Sequence, residues 1–397
     1  MLQTMVSPKK TAIFGSGPAG LMAATQLIRA GVGVKVFERR PSFGRKLLIA
    51  GSSGLNISHQ ASIQEFVDHY EGLESSVWQG FFRIFSPEDW ISFVQSLGFE
   101  TFVGTSSRYF VREMKASNLL RAWIAMLREL GVEFVPNQEF NLDTDLSGFD
   151  AVGFFLGGGS WEDREPVWPE VFRKRFGVKV HPFTPSNVGF EVAWSLAFLH
   201  ESEGKPLKNI VFSTKKGSKA GELMVTRYGL EGTPIYFHGA TGMAHLDLKP
   251  GLSDSAVLEK MKSVRENLSP IRRIKKVLGL NETALSLLFH QTTPSERESL
   301  ETMATLVKRF PVELLSPRPL LEAISSKGGV ELQEISIEPG SELMLKKHPG
   351  FFCGGEMLDW DAPTGGFLIQ ASVTQGAVAA RGMLNWLQQG RTESGAQ

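Results

Sequence analysis

Three glycines, Gly15, Gly17 and Gly20, stand in the spacing G-x-G-x-x-G within KTAIFGSGPAGLMAATQLIRAGVGVKVFER, residues 10–39. Glycines so spaced can cradle a pyrophosphate. Gly15 allows a tight turn out of a strand, and Gly17 lets backbone approach phosphate oxygens that a Cβ would strike. Gly20 lets the following helix pack close to the strand. Ser16, Pro18 and Ala19 complete the loop. Glu38, 23 residues after Gly15, stands near the spacing of about 20 at which a carboxylate takes ribose hydroxyls.

Such chemistry needs a strand before the loop, a helix after it and a second strand ending at the acid. TAIFG reads as a buried parallel strand. LMAATQLIRAG reads as a helix with apolar Leu21, Met22, Leu27 and Ile28, closed by Gly31. GVKVFER reads as the second strand. The bland alternative is a glycine-rich turn in another α/β fold. The order of strand, loop, helix, strand and acid favours a dinucleotide.

The segment after the ribose acid distinguishes FAD from NAD. RRPSFGRKLLIAGSSGLNISH, residues 39–59, is long and rich in Gly and Ser where an NAD domain would enter its next helix. Flavoproteins of the glutathione-reductase type run such a loop under the flavin. Arg39, Gly44, Arg45 and Lys46 are then cofactor-binding candidates, the cations lying near the pyrophosphate or the isoalloxazine; a basic surface loop is the alternative. FDAVGFFLGGGSW is an apolar strand running into Gly157, Gly158 and Gly159, which are either FAD neighbours or a plain strand-exit turn. GFFCGGE is a strand into a turn carrying Gly355 and Glu356. PTGGF then opens a helix expected over 369–387, where Thr364, Gly365, Gly366 and Phe367 can aim backbone N–H groups at the flavin N1/O2 edge. Two such glycine motifs at opposite ends of the chain point to FAD.

Here a resemblance becomes specific. GSGPAGLMAA, GRKLLIAGSSGLNISH, FFLGGGSW, GELMVTRYGLEGTPIY and FFCGGEMLDWDAPTGGFLIQASVTQGAVAA together resemble the BaiN-like family of FAD-dependent flavoproteins, which are NAD(P)/FAD-dependent oxidoreductases similar to aminoacetone oxidase. The resemblance runs over nearly the whole chain in the family's order. It implies that Asp359 bonds the ribityl or pyrophosphate part, and that Arg227 and Tyr228 occupy a variable pair facing the substrate. The family usually carries G-G-G-R-C-N-x-T-N after G-R-K-L-L. In this chain the Arg and Cys positions are Gly54 and Leu55, while Asn56 remains as a cofactor-binding candidate. The chain therefore resembles a subfamily without the Arg–Cys pair.

The expected fold is α/β: a Rossmann-type, glutathione-reductase-like FAD-binding domain with an inserted domain of β and helical parts. The FAD domain would be discontinuous, residues 1–185 and 328–397, with a substrate or lid domain at 186–327. Within the first part, SPEDWISFVQSLG carries Ser86 as a cap with Asp89 at N3, and a helix is expected near 117–130 with Leu119, Leu120, Trp123, Ile124 and Leu127 inward. FHGATGMA, around Gly239 and Gly242, lacks a third glycine and reads as a turn.

Composition narrows the function. One cysteine, Cys353, excludes a disulfide framework and C-x-x-C chemistry and reads as a buried strand residue. The eight histidines show no metal spacing, so no metal is expected. Lys plus Arg equals Asp plus Glu at 42 each. The basic clusters KNIVFSTKKGSK and IRRIKKV are flanked by acids and read as solvated surface, so no nucleic-acid partner is expected. No apolar run reaches the roughly 18 residues of a membrane span, and MLQTMVSPKK lacks a signal-peptide core; a cytoplasmic protein without a membrane partner is expected. No second nucleotide module is visible, so NAD(P)H, the candidate donor, would bind transiently at the flavin. The expected activity is hydride or electron transfer between a small organic substrate and FAD. Its rivals are an oxygen-using amine or aminoketone oxidase, a non-catalytic flavin-binding protein and an RNA-modifying flavoenzyme. His59, Arg108, Tyr109, Arg227 and Tyr228 are candidates for acid–base work, none of them singled out as catalytic.

Overall fold

A computed structural model describes residues 9–51, 54–104 and 106–394. Ser52, Ser53 and residues 1–8 of the N-terminal segment lie outside the described residues. The chain forms two units, Met1–Thr184 with Ser326–Gln397, and Pro185–Ser325.

The first unit is built on a five-stranded parallel sheet. Its strands are β1 (Lys10–Phe14), β2 (Gly33–Phe37), β6 (Glu133–Val135), β7 (Ala151–Phe154) and β16 (Phe351–Cys353), in the order β16-β7-β1-β2-β6. Thr11 to Phe14 are all buried, as befits a central parallel strand covered on both faces. Helix α1 (Pro18–Arg29) joins β1 to β2, starting with proline at N1, where the missing N–H costs nothing. It ends as expected: Gly31 takes φ +78° and Val32 N–H bonds back to Leu27 O at 3.1 Å.

Between β2 and β6 the chain makes α2 (Arg45–Ala50), then a three-stranded antiparallel sheet of β3 (Asn56–His59), β5 (Arg108–Val111) and β4 (Thr101–Val103) in that order. The helix Pro87–Ser96 has the expected capping box: Asp89 N–H donates to Ser86 Oγ at 3.1 Å and Ser86 N–H to Asp89 Oδ2 at 2.8 Å, worth about 1 kcal/mol. The helix Ala116–Glu129 buries Leu119, Leu120, Trp123 and Leu127; Ile124 is only half-buried. Trp123 Nε1 donates to Thr25 Oγ1 at 2.9 Å, so this large side chain is buried with its polar atom satisfied.

The C-terminal helix runs Phe367–Ser394, longer at both ends than the expected 369–387. Gly376 and Gly382 do not interrupt it because both are contact points. A Cβ on Gly376 would stand 2.2 Å from Ala19 O, and one on Gly382 would stand 2.6 Å from Glu342 O. Close packing outweighs the ~1 kcal/mol propensity cost of each glycine.

The second unit has its own core and a six-stranded antiparallel sheet. The strands β9 (Phe190–Glu191), β10 (Pro206–Thr214), β11 (Gly217–Val225), β12 (Gly229–Glu231), β13 (Gly242–Asp247) and β14 (Phe310–Leu314) are arranged in the order β14-β13-β10-β11-β12-β9. The helices Leu196–Ser202 and Thr233–His238 and those between Asp254 and Lys308 belong to the same unit. Gly239 to Thr241 form a plain link between the helix Thr233–His238 and β13, the turn expected from the sequence. The strands β8 (Val180–Ser186) and β15 (Ser325–Val330) pair where the chain passes between the units.

Candidate FAD site

The three glycines of the first loop have three different surroundings. Gly15 has φ +101°, and a Cβ there would stand 2.1 Å from Phe155 O; one on Gly20 would stand 2.0 Å from Gly15 O. A Cβ on Gly17 would meet nothing within 4 Å. The fold itself therefore demands the first and third glycines, whereas nothing among the described residues occupies the space at the second. No side chain caps α1 and its first turn holds no acid. Its N–H groups and positive dipole end are left for an anion.

Glu38 lies beside this loop. Its Oε2 accepts from Ser16 Oγ at 2.5 Å and from Ser16 N–H at 3.2 Å, and its Oε1 accepts from Arg40 N–H at 3.0 Å. Ser16 Oγ in turn accepts from Gly44 N–H at 3.0 Å. Ser16 thus ties the glycine loop to the ribose-acid position and to the start of α2.

Three cations of the 39–59 segment, Arg39, Arg40 and Lys46, are held by acids. Arg39 pairs with Glu162, and Arg40 pairs with Glu162 at 2.9 Å and Asp163 at 2.7 Å. Lys46 Nζ donates to Gly158 O at 3.0 Å and lies 3.3 Å from Glu356 Oε2. Arg45 is half-buried in the first turn of α2. Glu356 is a hub: besides Lys46 it accepts from Ser326 N–H at 3.1 Å, Ser160 Oγ at 3.3 Å and Gly158 N–H at 3.4 Å. Gly157 O accepts from Trp168 Nε1 at 3.2 Å. Sequence reasoning missed Ser160, Glu162 and Ser326, which lie more than 100 residues from Lys46 or Arg39 and belong to no local pattern.

At the other end of the chain, Gly355 N–H donates to Gln375 Oε1 at 2.7 Å, and Gly355 O accepts from Trp360 Nε1 at 2.8 Å. A Cβ on Gly355 would stand 3.0 Å from Ala19 Cβ, so the second glycine motif sits against the first turn of α1. Asp359 has its N–H on Val330 O at 3.0 Å and its carboxylate 3.7 Å from His181 Nε2.

Thr364, Gly365 and Gly366 lead into the C-terminal helix. Gly366 has φ +97°, and a Cβ there would stand 2.5 Å from the Ser58 backbone, which pins the turn to β3. His59 Nδ1 lies 3.2 Å from Gly365 O. The Phe367 ring is 2% exposed, stacked between His59 (centroids 4.9 Å apart) and His69 (4.4 Å), and Tyr70 OH donates to its carbonyl at 2.9 Å. Ser58 Oγ donates to Gln370 Oε1 at 2.7 Å, a second tie between β3 and the helix.

Gly54, at the family motif's Arg position, has φ +131°, and a Cβ there would stand 2.4 Å from Met114 Cε. The missing arginine is therefore accompanied by a backbone conformation that an L-residue rarely adopts. Cys353 is fully buried in β16, where burial pushes its thiol pKa well up. In the second unit, Tyr228 OH donates to Glu231 Oε2 at 2.6 Å, with Arg318 over its ring at 4.6 Å. Burial, then Glu231, raises the Tyr228 phenol pKa.

The first unit fits an FAD. The space at Gly17 adjoins uncapped helix N–H groups, Glu38 bonds the neighbouring Ser16, and four buried polar atoms among the described residues have no partner, two of them on the candidate Asn56 (Oδ1) and on Gln375 (Nε2), which bonds Gly355. Buried atoms of that kind are costly unless something else satisfies them. The parallel sheet and this loop define a Rossmann-type dinucleotide-binding domain, and the family to which the chain belongs makes the dinucleotide FAD. The chain belongs to the HI0933-like family: the HI0933-like protein Rossmann domain matches residues 9–147, and the HI0933-like protein barrel and H2TH domain matches 184–325. A ribosomal RNA dihydrouridine synthase of Haemophilus influenzae is 23% identical over 292 residues, 67% of this chain and 70% of the relative. Among solved structures, a 3-ketosteroid-Δ4-(5α)-dehydrogenase from Rhodococcus jostii is similar at 13% identity, covering 96% of this chain and 98% of that one, with TM-score 0.47. Mycobacterium smegmatis Sdh1 is similar at 12% identity, covering 98% and 72%, with TM-score 0.47. No described helix is long and apolar enough to cross a membrane.

Proposed function

We propose that the protein transfers a hydride or electrons between a small organic substrate and FAD, with NAD(P)H as the donor in the reductive direction. FAD supplies the two-electron chemistry when bound. The chain's residues bind and orient it. The loop at Gly15, Gly17 and Gly20 and the N-terminus of α1 take the pyrophosphate, Glu38 takes the ribose, and the Thr364–Gly366 turn offers N–H groups to the flavin ring. Asn56 Oδ1 is a buried acceptor for a group that carries N–H. The observation that carries the reading is the meeting of the two glycine motifs at Ala19, against which both Gly355 and Gly376 pack.

The test is an anaerobic titration of the purified protein with NADPH and NADH, followed by visible absorption. Bleaching of a bound flavin at low nucleotide supports the donor assignment. Flavin that neither nucleotide bleaches removes NAD(P)H as donor and favours an organic reductant or a flavin that is not turned over. No flavin spectrum after added FAD overturns the reading.

A second reading takes its substrate from the Haemophilus relative: a ribosomal RNA pyrimidine. One observation favours it. Lys215 and Lys216 are exposed at the turn of the β10–β11 hairpin. With Lys219 they put three lysines within five residues of this hairpin, a cluster suited to phosphates. Retention of a ribosomal RNA fragment by the wild type, lost in a Lys215→Glu/Lys216→Glu variant, would support it over the small-molecule reading.

A further inference from the structure

Arg108 opens β5, and its register partner on β3 is His59. Two elements thus converge on one turn. Gly366 is pressed on Ser58 of β3, and the position of a Cβ on Gly365 lies 3.6 Å from Arg108 Nε. His59 Nδ1 lies 3.2 Å from Gly365 O. The guanidinium is half-buried, and although burial lowers its pKa, an arginine remains charged throughout the physiological range. A fixed positive charge in a partly desolvated place interacts more strongly with a nearby anion than it would in water.

We infer that Arg108 is the charge-stabilising residue of the flavin site, holding the negative charge that collects at N1 and the C2 carbonyl when the flavin ring is reduced. The inference rests on the placement of that edge at the Thr364–Gly366 turn. In the step, a donor of the reduced-nicotinamide class gives H⁻, with its electron pair, to flavin N5. The donor leaves as the oxidised nicotinamide. The flavin, having gained one hydrogen and two electrons, carries one negative charge, and Arg108 allows N1 to remain without a proton. The same charge favours addition of sulfite to N5, which also leaves the negative charge on N1, so sulfite reads the effect without any substrate.

Anaerobic reduction of the flavin-loaded wild type with dithionite at neutral pH should give the absorption spectrum of the anionic reduced flavin. A neutral reduced flavin overturns the inference. Sulfite titration should give a dissociation constant about tenfold or more weaker in Arg108→Gln, with the flavin midpoint potential falling in the same variant. Arg108→Lys should restore most of the sulfite affinity, because the charge is kept. Unchanged sulfite affinity in Arg108→Gln at full flavin occupancy overturns the inference while leaving the FAD site intact. The placement of FAD itself fails separately, if Gly17→Val binds FAD as tightly as the wild type. Should Arg108→Gln fail to fold or retain flavin, the wild-type spectrum and Arg108→Lys still decide.

Discussion

Gly376, about a third of the way along the C-terminal helix, lies against the carbonyl of Ala19 in the first turn of α1, where a Cβ would stand 2.2 Å from the oxygen. The helix after the first glycine loop is thus held by a residue near the end of the chain. Gly376→Ala should force the two helices apart and cost about 2–3 kcal/mol. Thermal unfolding should show the lower midpoint, and FAD affinity should fall with it because the loop moves.

Gly17 and Gly20 should separate binding from folding. Gly17 has an ordinary φ of −71° and open space, so Gly17→Val should fold with little change in melting temperature and lose FAD by about tenfold or more. Gly20→Val should destabilise the fold itself by more than about 2 kcal/mol, since its Cβ would overlap Gly15 O. Equilibrium dialysis with FAD and calorimetry on the two variants make the comparison.

Glu356 receives donors from four residues, Lys46, Gly158, Ser160 and Ser326. Glu356→Ala would strand partly buried N–H groups, each costing about 1–3 kcal/mol. Urea unfolding should show the loss. Glu356→Gln should recover part of it by keeping an acceptor oxygen.

Cys353 gives a pH signature. Burial raises its thiol pKa in the folded state, so folding favours the protonated form. That contribution is complete below the unfolded thiol pKa of about 8.5 and is lost progressively as pH rises above it. Stability of the wild type should therefore fall above about pH 8.5 more steeply than that of Cys353→Ala. A thiol reagent should label the folded protein only at the rate of its opening.

Glu38 accepts three hydrogen bonds, two of them from Ser16 and one from Arg40. Glu38→Ala should weaken FAD binding by about tenfold or more, since both the ribose acceptor and the anchor of Ser16 are lost. Flavin fluorescence released on dilution would measure it.

The first loop is legible in the sequence because its chemistry is local: strand, glycines, helix and acid lie within about 30 residues, the length of one supersecondary unit. Ser86 with Asp89, and Gly31, are legible for the same reason, each being fixed by its own turn. The full length of the C-terminal helix is not: the expected 369–387 already spans Gly376 and Gly382, but the polar run from Gln388 to Ser394 carries no apolar periodicity that would extend it. The anchoring of Arg39 and Lys46 by Glu162 and Glu356 is hidden, because the acids follow β7 and β16, far along the chain from the segment after β2. Phe367 is legible as part of the turn that opens the helix; its stacking on His59 and His69 is not, because those residues arrive from separate elements.

The sheet order β16-β7-β1-β2-β6 has a consequence for biosynthesis. Strand β16 is an outer strand made from the last fifth of the chain, and the helix that holds α1 comes after it. At about 5–20 residues per second, some 10–40 s separate translation of β7 from that of the closing helix. During that interval the ribosome makes the second unit, which has a core of its own. The nascent first unit waits with one flank of β7 and one side of α1 exposed, so chaperone dependence and premature-stop sensitivity should concentrate on that unfinished edge.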